Sequence, residues 1–273
     1  MGFFNWANMK YTTDGKGVEK QEKRNPVGIF FGIIGRKFWK FVTLNLTYAF
    51  VGLPTWCFMA ICATSFLMFH VNNENYNQLL PYLLVLIPFI ALVSSPATMG
   101  VTYVLRNFAR EEHAWVPGDV FDKASKNYKQ GIVIGLINSV VAFLLLYSYF
   151  YYAKASGGIG FMNYLILLLG LLFLMMRNYI YPLAVTYRLS IGNIYRYAMV
   201  FVLMKLPQNF LIVAGCLILI YASFTYINLG MILSAVILIS LLGFLTNFYC
   251  DRVIQANMQS QNERIYPPRE QKR

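Results

Sequence analysis

Six apolar runs, at about 41–69, 79–105, 131–152, 159–180, 206–226 and 229–249, leave this chain few ways to fold. Each is long enough to cross about 30 Å of hydrocarbon as a helix, and only structures that satisfy their own backbone hydrogen bonds cross lipid. The charges between the runs test the count. Lysine and arginine number eight before the first run, none in 70–78, five in 106–130, one (Lys154) in 153–158, four from Arg177 to Lys205, none in 227–228 and five after 249. Six crossings place 22 of the 23 cations on one side, which is the positive-inside distribution. Both termini and the two long loops are therefore expected in the cytoplasm, and five crossings would spoil the pattern. Tyr147, Tyr149, Tyr151 and Tyr152 end the third run, and Tyr221 and Tyr226 end the fifth, as aromatic belts at the opposite face. The expected fold is an all-α, polytopic helical bundle of about six transmembrane helices with cytoplasmic amphipathic elbows.

A net charge of +12 raises the question of nucleic acid, but the basic residues sit between apolar runs, where topology demands them, and no soluble segment carries a basic patch with stacking aromatics. The expected partner is instead a bilayer with an anionic inner leaflet. Residues 1–25 are polar and basic with no hydrophobic period, and read as a mobile cytoplasmic arm. Residues 26–250 form one transmembrane domain, and 251–273 a polar cytoplasmic tail. From Pro26, the positions Ile29, Phe30, Ile33, Ile34 and Phe38 recur at helical spacing beside Arg36, Lys37, Trp39 and Lys40, as in a helix on a membrane surface that leads into the first span. Cys57, Cys62, Cys216 and Cys250 lie in or at the edge of apolar runs without a Cys-x-x-Cys spacing, so they read as small buried apolar residues. The first run begins too late, behind too many cations, for a cleaved signal, and Trp6 stands where a myristoylation motif needs Ser or Thr.

The stretch Ser94–Glu112 organises the rest. Arg106 and Arg110 lie one helical turn apart at a water boundary, and Ser95 is about 16 Å deeper at 1.5 Å per residue. Pro96 cannot donate to a preceding turn but suits the start of a new helix, with Ser94 or Ser95 as cap, so a helix break is expected near mid-membrane. Beyond Glu112, Asp119 as N-cap and Gly131 past the end delimit an elbow helix. Val120, Phe121, Ala124 and Tyr128 take one face, and Lys123, Lys126 and Lys129 the other. Gly131, Gly135 and Ser139 repeat every four residues, which admits a close helix neighbour in lipid. Arg177-Asn-Tyr179 echoes Arg106-Asn-Phe108, and Asn193-Ile-Tyr-Arg196 echoes Asn127-Tyr-Lys129, as two units of a parallel repeat would.

Several of these pieces resemble the YesL-like family of bacterial integral membrane proteins, a family of unknown function. They are the Met1-Gly-Phe-Phe-Asn5 start, Leu44-Asn-Leu46 with Leu53-Pro54, Pro96-Ala-Thr98, Tyr103 through Glu112, and the Phe121–Gln130 elbow. The resemblance covers roughly the first 150 residues and is most specific over Arg106–Glu112. Here Thr55–Ser95 separates the Leu-Pro and Pro-Ala-Thr elements, which run almost together in many relatives. The resemblance implies a bacterial cytoplasmic membrane setting and a role beside carbohydrate ABC importers. It implies no reaction and no catalytic residue.

The residues themselves offer two candidate sites. Arg106, Arg110, Glu111 and Glu112, with Lys123, Lys126 and Lys129, form a charged elbow suited to docking a cytoplasmic partner such as an ABC sugar transporter subunit. Ser94, Ser95, Pro96, Asn138, Arg177 and Pro182 could instead line a cavity at broken helices. Asn45, Asn138, Asn163 and Asn209 are expected mainly to bond between helices, and Arg177 to snorkel from a helix end. No nucleophile–base pair, metal-ligand set or phosphate loop is present, so no catalytic residue, cofactor or metal is expected. No acidic residue lies within a run, which argues against proton coupling. The expected function is therefore a non-enzymatic accessory or regulatory component of carbohydrate uptake, and the alternative is an autonomous small-molecule transporter or channel. A polar cavity converging on Ser94, Ser95, Asn138 and Arg177 would favour the alternative.

Overall fold

A computed structural model describes residues 25–72, 94–155, 158–225, 230 and 232–265. The basic arm up to residue 24, the first part of the second apolar run and the last eight residues lie outside the described residues. Among the described residues there are helices and no strands: α1 (Pro26–Asn72), α2 (Ser95–Ala109), α3 (Val116–Lys126), α4 (Tyr128–Ala155), α5 (Phe161–Thr186), α6 (Ile191–Met204), α7 (Leu206–Phe224) and α8 (Ile239–Ile265). A π-helical turn, Ser234–Leu238, leads into α8. Four stretches are long and apolar enough to cross a membrane: Tyr128–Ala155, Phe161–Thr186, Leu206–Phe224 and Val236–Met258. The first three coincide with the predicted runs at 131–152, 159–180 and 206–226, and the fourth overlaps the predicted 229–249 but lies several residues further along. Their outward residues, among them Leu144, Leu167, Leu211 and Ile218, are exposed, as lipid-facing side chains must be in a helical membrane protein.

α2 is the hub, packed against α1, α3, α4, α5 and α8, and most of its side chains are buried. Its neighbours come close because glycines let them. A Cβ on Gly100 would run into the Val120 carbonyl of α3, and one on Gly131 would stand 3.1 Å from the Pro96 Cα, so of the predicted close approaches Gly131 makes the α2–α4 contact, whereas Gly135 and Ser139 border a cavity. Met99 of α2 joins a core of α5, α6 and α8 around Tyr179, while Val104, Leu105 and Phe108 join one of α1, α3 and α8 around Phe41 and Phe244.

Several local expectations change. α1 does kink where a surface helix was to meet the first span, at Lys37, whose backbone is non-helical. However, Ile29, Phe30, Ile33 and Ile34 pack on the protein's own core rather than on lipid, with Phe30 stacked 5.2 Å from Phe244. Ser94 and Ser95 do not cap α2: Ser94 itself has helical backbone, and both hydroxyls reach other helices. α3 starts after Trp115 rather than at Asp119, because Asp119 Oδ2 accepts the Trp115 N–H from inside the first turn. It ends at Asn127, so Gly131 belongs to α4. Val120 of α3 is buried whereas Phe121 of α3 and Tyr128, which starts α4, are exposed. Pro182 does not break α5, since lateral packing holds the helix through it to Thr186. α8 continues past the expected start of the tail to Ile265, and Asp251, Val253 and Ile254 are buried. Cys57 is exposed, not buried. Both elbows place a short helix between two longer ones, but the echoing asparagines differ in place, since Asn127 separates α3 from α4 whereas Asn193 lies inside α6.

Candidate functional site

The charged elbow is largely occupied by the fold. Arg110 donates from Nη2 to Asp251 Oδ1 at 2.6 Å and from Nε to Asp251 Oδ2 at 3.0 Å, and these bonds hold the guanidinium pKa above its ordinary value. Glu111 Oε1 accepts from Arg36 at 2.9 Å. Glu112 offers its carbonyl to Lys37, whose ammonium also lies over the Phe108 ring, and burial there lowers the Lys37 pKa. Arg106 donates to Asn107 and covers Tyr103. On α3, Lys126 donates to Asp122 at 2.9 Å, which lowers the carboxylate's pKa, and Lys123 covers Tyr103. Lys126 and Lys129 stay exposed, near exposed Trp115, Phe121 and Tyr128.

The second candidate set converges. Two cavities of about 310 and 230 Å³ share Tyr48, Thr98, Arg177 and Tyr181 in their walls. The smaller one, between α1, α2, α4 and α5, is lined by Ser94, Ser95, Asn138 and Ser139 and by Phe143, Leu146 and Phe173. The larger, between α1, α2, α5, α7 and α8, adds Thr102, Asn178, Thr246 and Asn247 to an apolar wall that includes Leu105, Leu174 and Val213. Pro182 lines the larger chamber, whereas Pro96 is buried against Gly131 and lines neither.

Arg177 is not at a helix end. It precedes the end of α5 at Thr186 by about 14 Å of helix at 1.5 Å per residue, and lies in the wall both chambers share. Among the described residues it has no hydrogen-bond or ion-pair partner, and no acidic side chain lines either chamber.

The hydroxyls nearby are positioned by one another. Thr98 Oγ1 donates to the Ser94 carbonyl at 2.7 Å and lies 3.3 Å from the Tyr48 hydroxyl. Ser95 Oγ donates to the Gly131 carbonyl at 2.8 Å and meets the Tyr181 hydroxyl at 3.0 Å, tying α2 to α4 and α5. Ser94 Oγ donates to Thr55.

All four asparagines bond between or across helices as expected, Asn138 from α4 to Tyr195 of α6. Asn45 joins α1 to the π-turn, Asn163 reaches the Tyr149 carbonyl from α5, and Asn209 accepts from Tyr179 while donating to Phe201 and Val202 carbonyls at the α6–α7 junction. Asn138 differs. Its Oδ1 accepts from Tyr195, but its Nδ2 has no partner although the residue is only 7% exposed. Asn247, 8% exposed, likewise leaves Oδ1 without a partner while Nδ2 donates to Gly243. Each chamber thus includes a buried amide with unused hydrogen-bonding capacity, which is uncommon and needs a reason.

Sequence reasoning missed Tyr48, Thr98, Tyr181 and Asn247 in the chamber walls, and Asp251 as the partner of Arg110. Thr98 could have been found, since it lies one turn from Ser94 and shares its helix face. The others come from distant helices. Among the described residues no group of His, Cys, Asp and Glu could hold a metal ion. Comparison of the chain with protein-family models, with curated proteins and with solved structures finds no match.

Proposed function

We propose that this is a non-enzymatic, multi-pass protein of the bacterial cytoplasmic membrane, with six crossings and cytoplasmic termini, that binds a small solute within the bundle and passes it across. The observation that carries this reading is the convergence of Ser94, Ser95, Asn138 and Arg177 on one space, with Arg177 unpaired among the described residues. Polar and ionisable groups held inside a membrane bundle usually mark a substrate path, because leaving them unsatisfied in lipid costs several kcal/mol. Chambers of about 310 and 230 Å³ suit a small molecule.

The test is flux through purified protein in liposomes, with light-scattering and tracer uptake of monocarboxylates, polyols and amino acids. At least one class should enter faster than in protein-free vesicles, and Ala142→Phe, which fills the smaller chamber, should slow it. Uptake equal to that of empty vesicles for every class would reject the reading.

A second reading, the accessory role beside a carbohydrate importer that the family resemblance implies, is favoured by the exposed Trp115, Phe121 and Tyr128 near Lys126 and Lys129. Arg110 and Glu111 contribute less to it, being paired within the chain. Co-purification from native membranes with Lys126→Glu/Lys129→Glu tests it. Transporter subunits should be lost from the variant, and an unchanged set of subunits would exclude docking through this face.

A further inference from the structure

The inner end of the larger chamber is closed in layers. On α2 the chamber lining stops at Leu105. One turn later Phe108 meets Phe41 of α1, which also meets Phe244 of α8, with ring centroids 5.2 and 5.0 Å apart. All three rings are fully buried. Residues 110–112 then tie three wall helices together. Arg110 bonds to Asp251 of α8, Glu111 to Arg36 of α1, and the Glu112 carbonyl accepts from Lys37 of α1.

The first piece of α1, residues 26–36, lies over this plug. Phe30 stacks 5.2 Å from Phe244 and meets Phe248 at 5.4 Å, and Ile33 is buried in the same core. Three observations make the piece movable. It joins the rest of α1 at Lys37, whose backbone is already non-helical, and a break of that kind absorbs a rotation that a continuous helix resists. Gly28, Gly32 and Gly35 lower its helix propensity, and among the described residues nothing within 4 Å of a Cβ there calls for glycine. Its charged tie is also of the weak kind. The Arg36–Glu111 pair is exposed on both sides, whereas the largely buried Arg110–Asp251 pair fixes the frame against which the piece closes.

Resting on the transport reading, we propose that residues 26–36 are a lid, hinged at Lys37 and latched by Arg36 on Glu111, that opens and closes the inner end of the larger chamber. Closed, as here, the lid holds Phe30 on an apolar plug, and an apolar constriction bars solute by excluding water. Open, it uncovers Phe244 and Phe248 and frees the seam between α2 and α8, where Leu105 packs on Gly243.

Cys216 lines the larger chamber and reports access to it. With Cys57→Ser, Cys62→Ser and Cys250→Ala it is the sole thiol of the full chain. Sulfonatoethyl methanethiosulfonate, a thiol reagent that does not cross lipid, is added to inside-out membrane vesicles. The parent should label slowly. Arg36→Glu, which sets two carboxylates against each other, should label about tenfold faster or more through a larger open fraction, and Arg36→Glu/Glu111→Arg should return to the parent rate. Asn163→Leu, which loosens α4 and α5 at their other end, should leave the rate unchanged. Glu111→Gln, which removes the latch without adding repulsion, should also label faster and serves if Arg36→Glu fails to insert.

Rapid labelling of the parent would overturn the lid. So would an unchanged rate in the latch variants, or a swapped pair that labels as fast as Arg36→Glu. Solute uptake with unchanged labelling would remove the lid and keep the transport reading. Faster labelling without uptake of any solute class would uphold the lid and remove the transport reading.

Discussion

Arg110 and Asp251, 141 positions apart, meet in a two-pronged ion pair at 2.6 and 3.0 Å that joins the end of α2 to α8. Asp251 is 4% exposed, so water does little to solvate its carboxylate and Arg110 takes that place. Removing one member should cost far more than removing both, because a lone buried charge keeps its desolvation penalty. Arg110→Met, which strands the buried Asp251, is expected to destabilise by about 3 kcal/mol, and Arg110→Met/Asp251→Leu by much less. Thermal unfolding in detergent, arranged as a double-mutant cycle, measures the difference. Equal losses from single and double variants would mean that the pair is not coupled.

Asn45 repairs a defect in another helix. The π-turn at Ser234–Leu238 shifts the hydrogen-bond ladder, and the Asn45 side chain donates to the Ser234 carbonyl at 2.8 Å while accepting the Ser240 N–H at 2.9 Å. Asn45→Leu, close in size, should therefore cost about 2 kcal/mol by stranding two buried backbone groups. Asn45→Asp keeps the acceptor and loses the donor. Measured melting temperatures should fall for both, and a Leu variant as stable as the parent would show that α8 repairs itself.

Glu111 holds a left-handed backbone, φ 57°, where α2 ends. Its N–H donates to the Phe108 carbonyl and that of Glu112 to the Asn107 carbonyl, the bond pattern of a Schellman turn, which glycine fills most easily. Relief of about 1 kcal/mol from the left-handed strain should outweigh the Arg36 pair, which is exposed on both sides. Glu111→Gly is expected to raise the melting temperature slightly or leave it unchanged. A clear drop would mean that the Arg36 contact is worth more than exposed pairs usually are.

Gly100 and Gly170 should respond oppositely to alanine. A Cβ at Gly100 meets the Val120 backbone, so Gly100→Ala must push α3 off α2 and should cost about 1–3 kcal/mol. At Gly170 nothing lies within 4 Å, and alanine should gain up to about 1 kcal/mol of helix propensity. Paired melting curves, with proteolysis between α2 and α3 as a local probe, compare the two. Equal responses would contradict the α2–α3 contact.

Much of the candidate cavity was legible beforehand, and the reason is physical. Ser94, Ser95, Asn138, Arg177 and Pro182 stand out because polar or helix-distorting residues are rare in apolar runs. The structure brings all five to chamber walls. Pro96 was misplaced because it packs against Gly131 instead. Arg177 was read as a snorkelling anchor because hydropathy ended its span near 180, whereas α5 continues to Thr186 on side chains buried by other helices. The docking elbow was over-read for a related reason. A run of charges looks available in one dimension, and nothing near Arg110 in sequence announces Asp251.

Periodicity and charge alone determine that this chain forms apolar helices, roughly where the last four spanning stretches fall, and that Gly131 on α4 admits a close neighbour, because lipid acts on each segment locally and by composition. Only the tertiary structure decided that α2 is the hub, that Asn45 repairs a distant helix, that Arg110 is spent on Asp251 and that Arg177 faces a shared cavity. Those outcomes depend on which faces of separate helices meet, and a buried charge or amide takes its meaning from the partner it finds there.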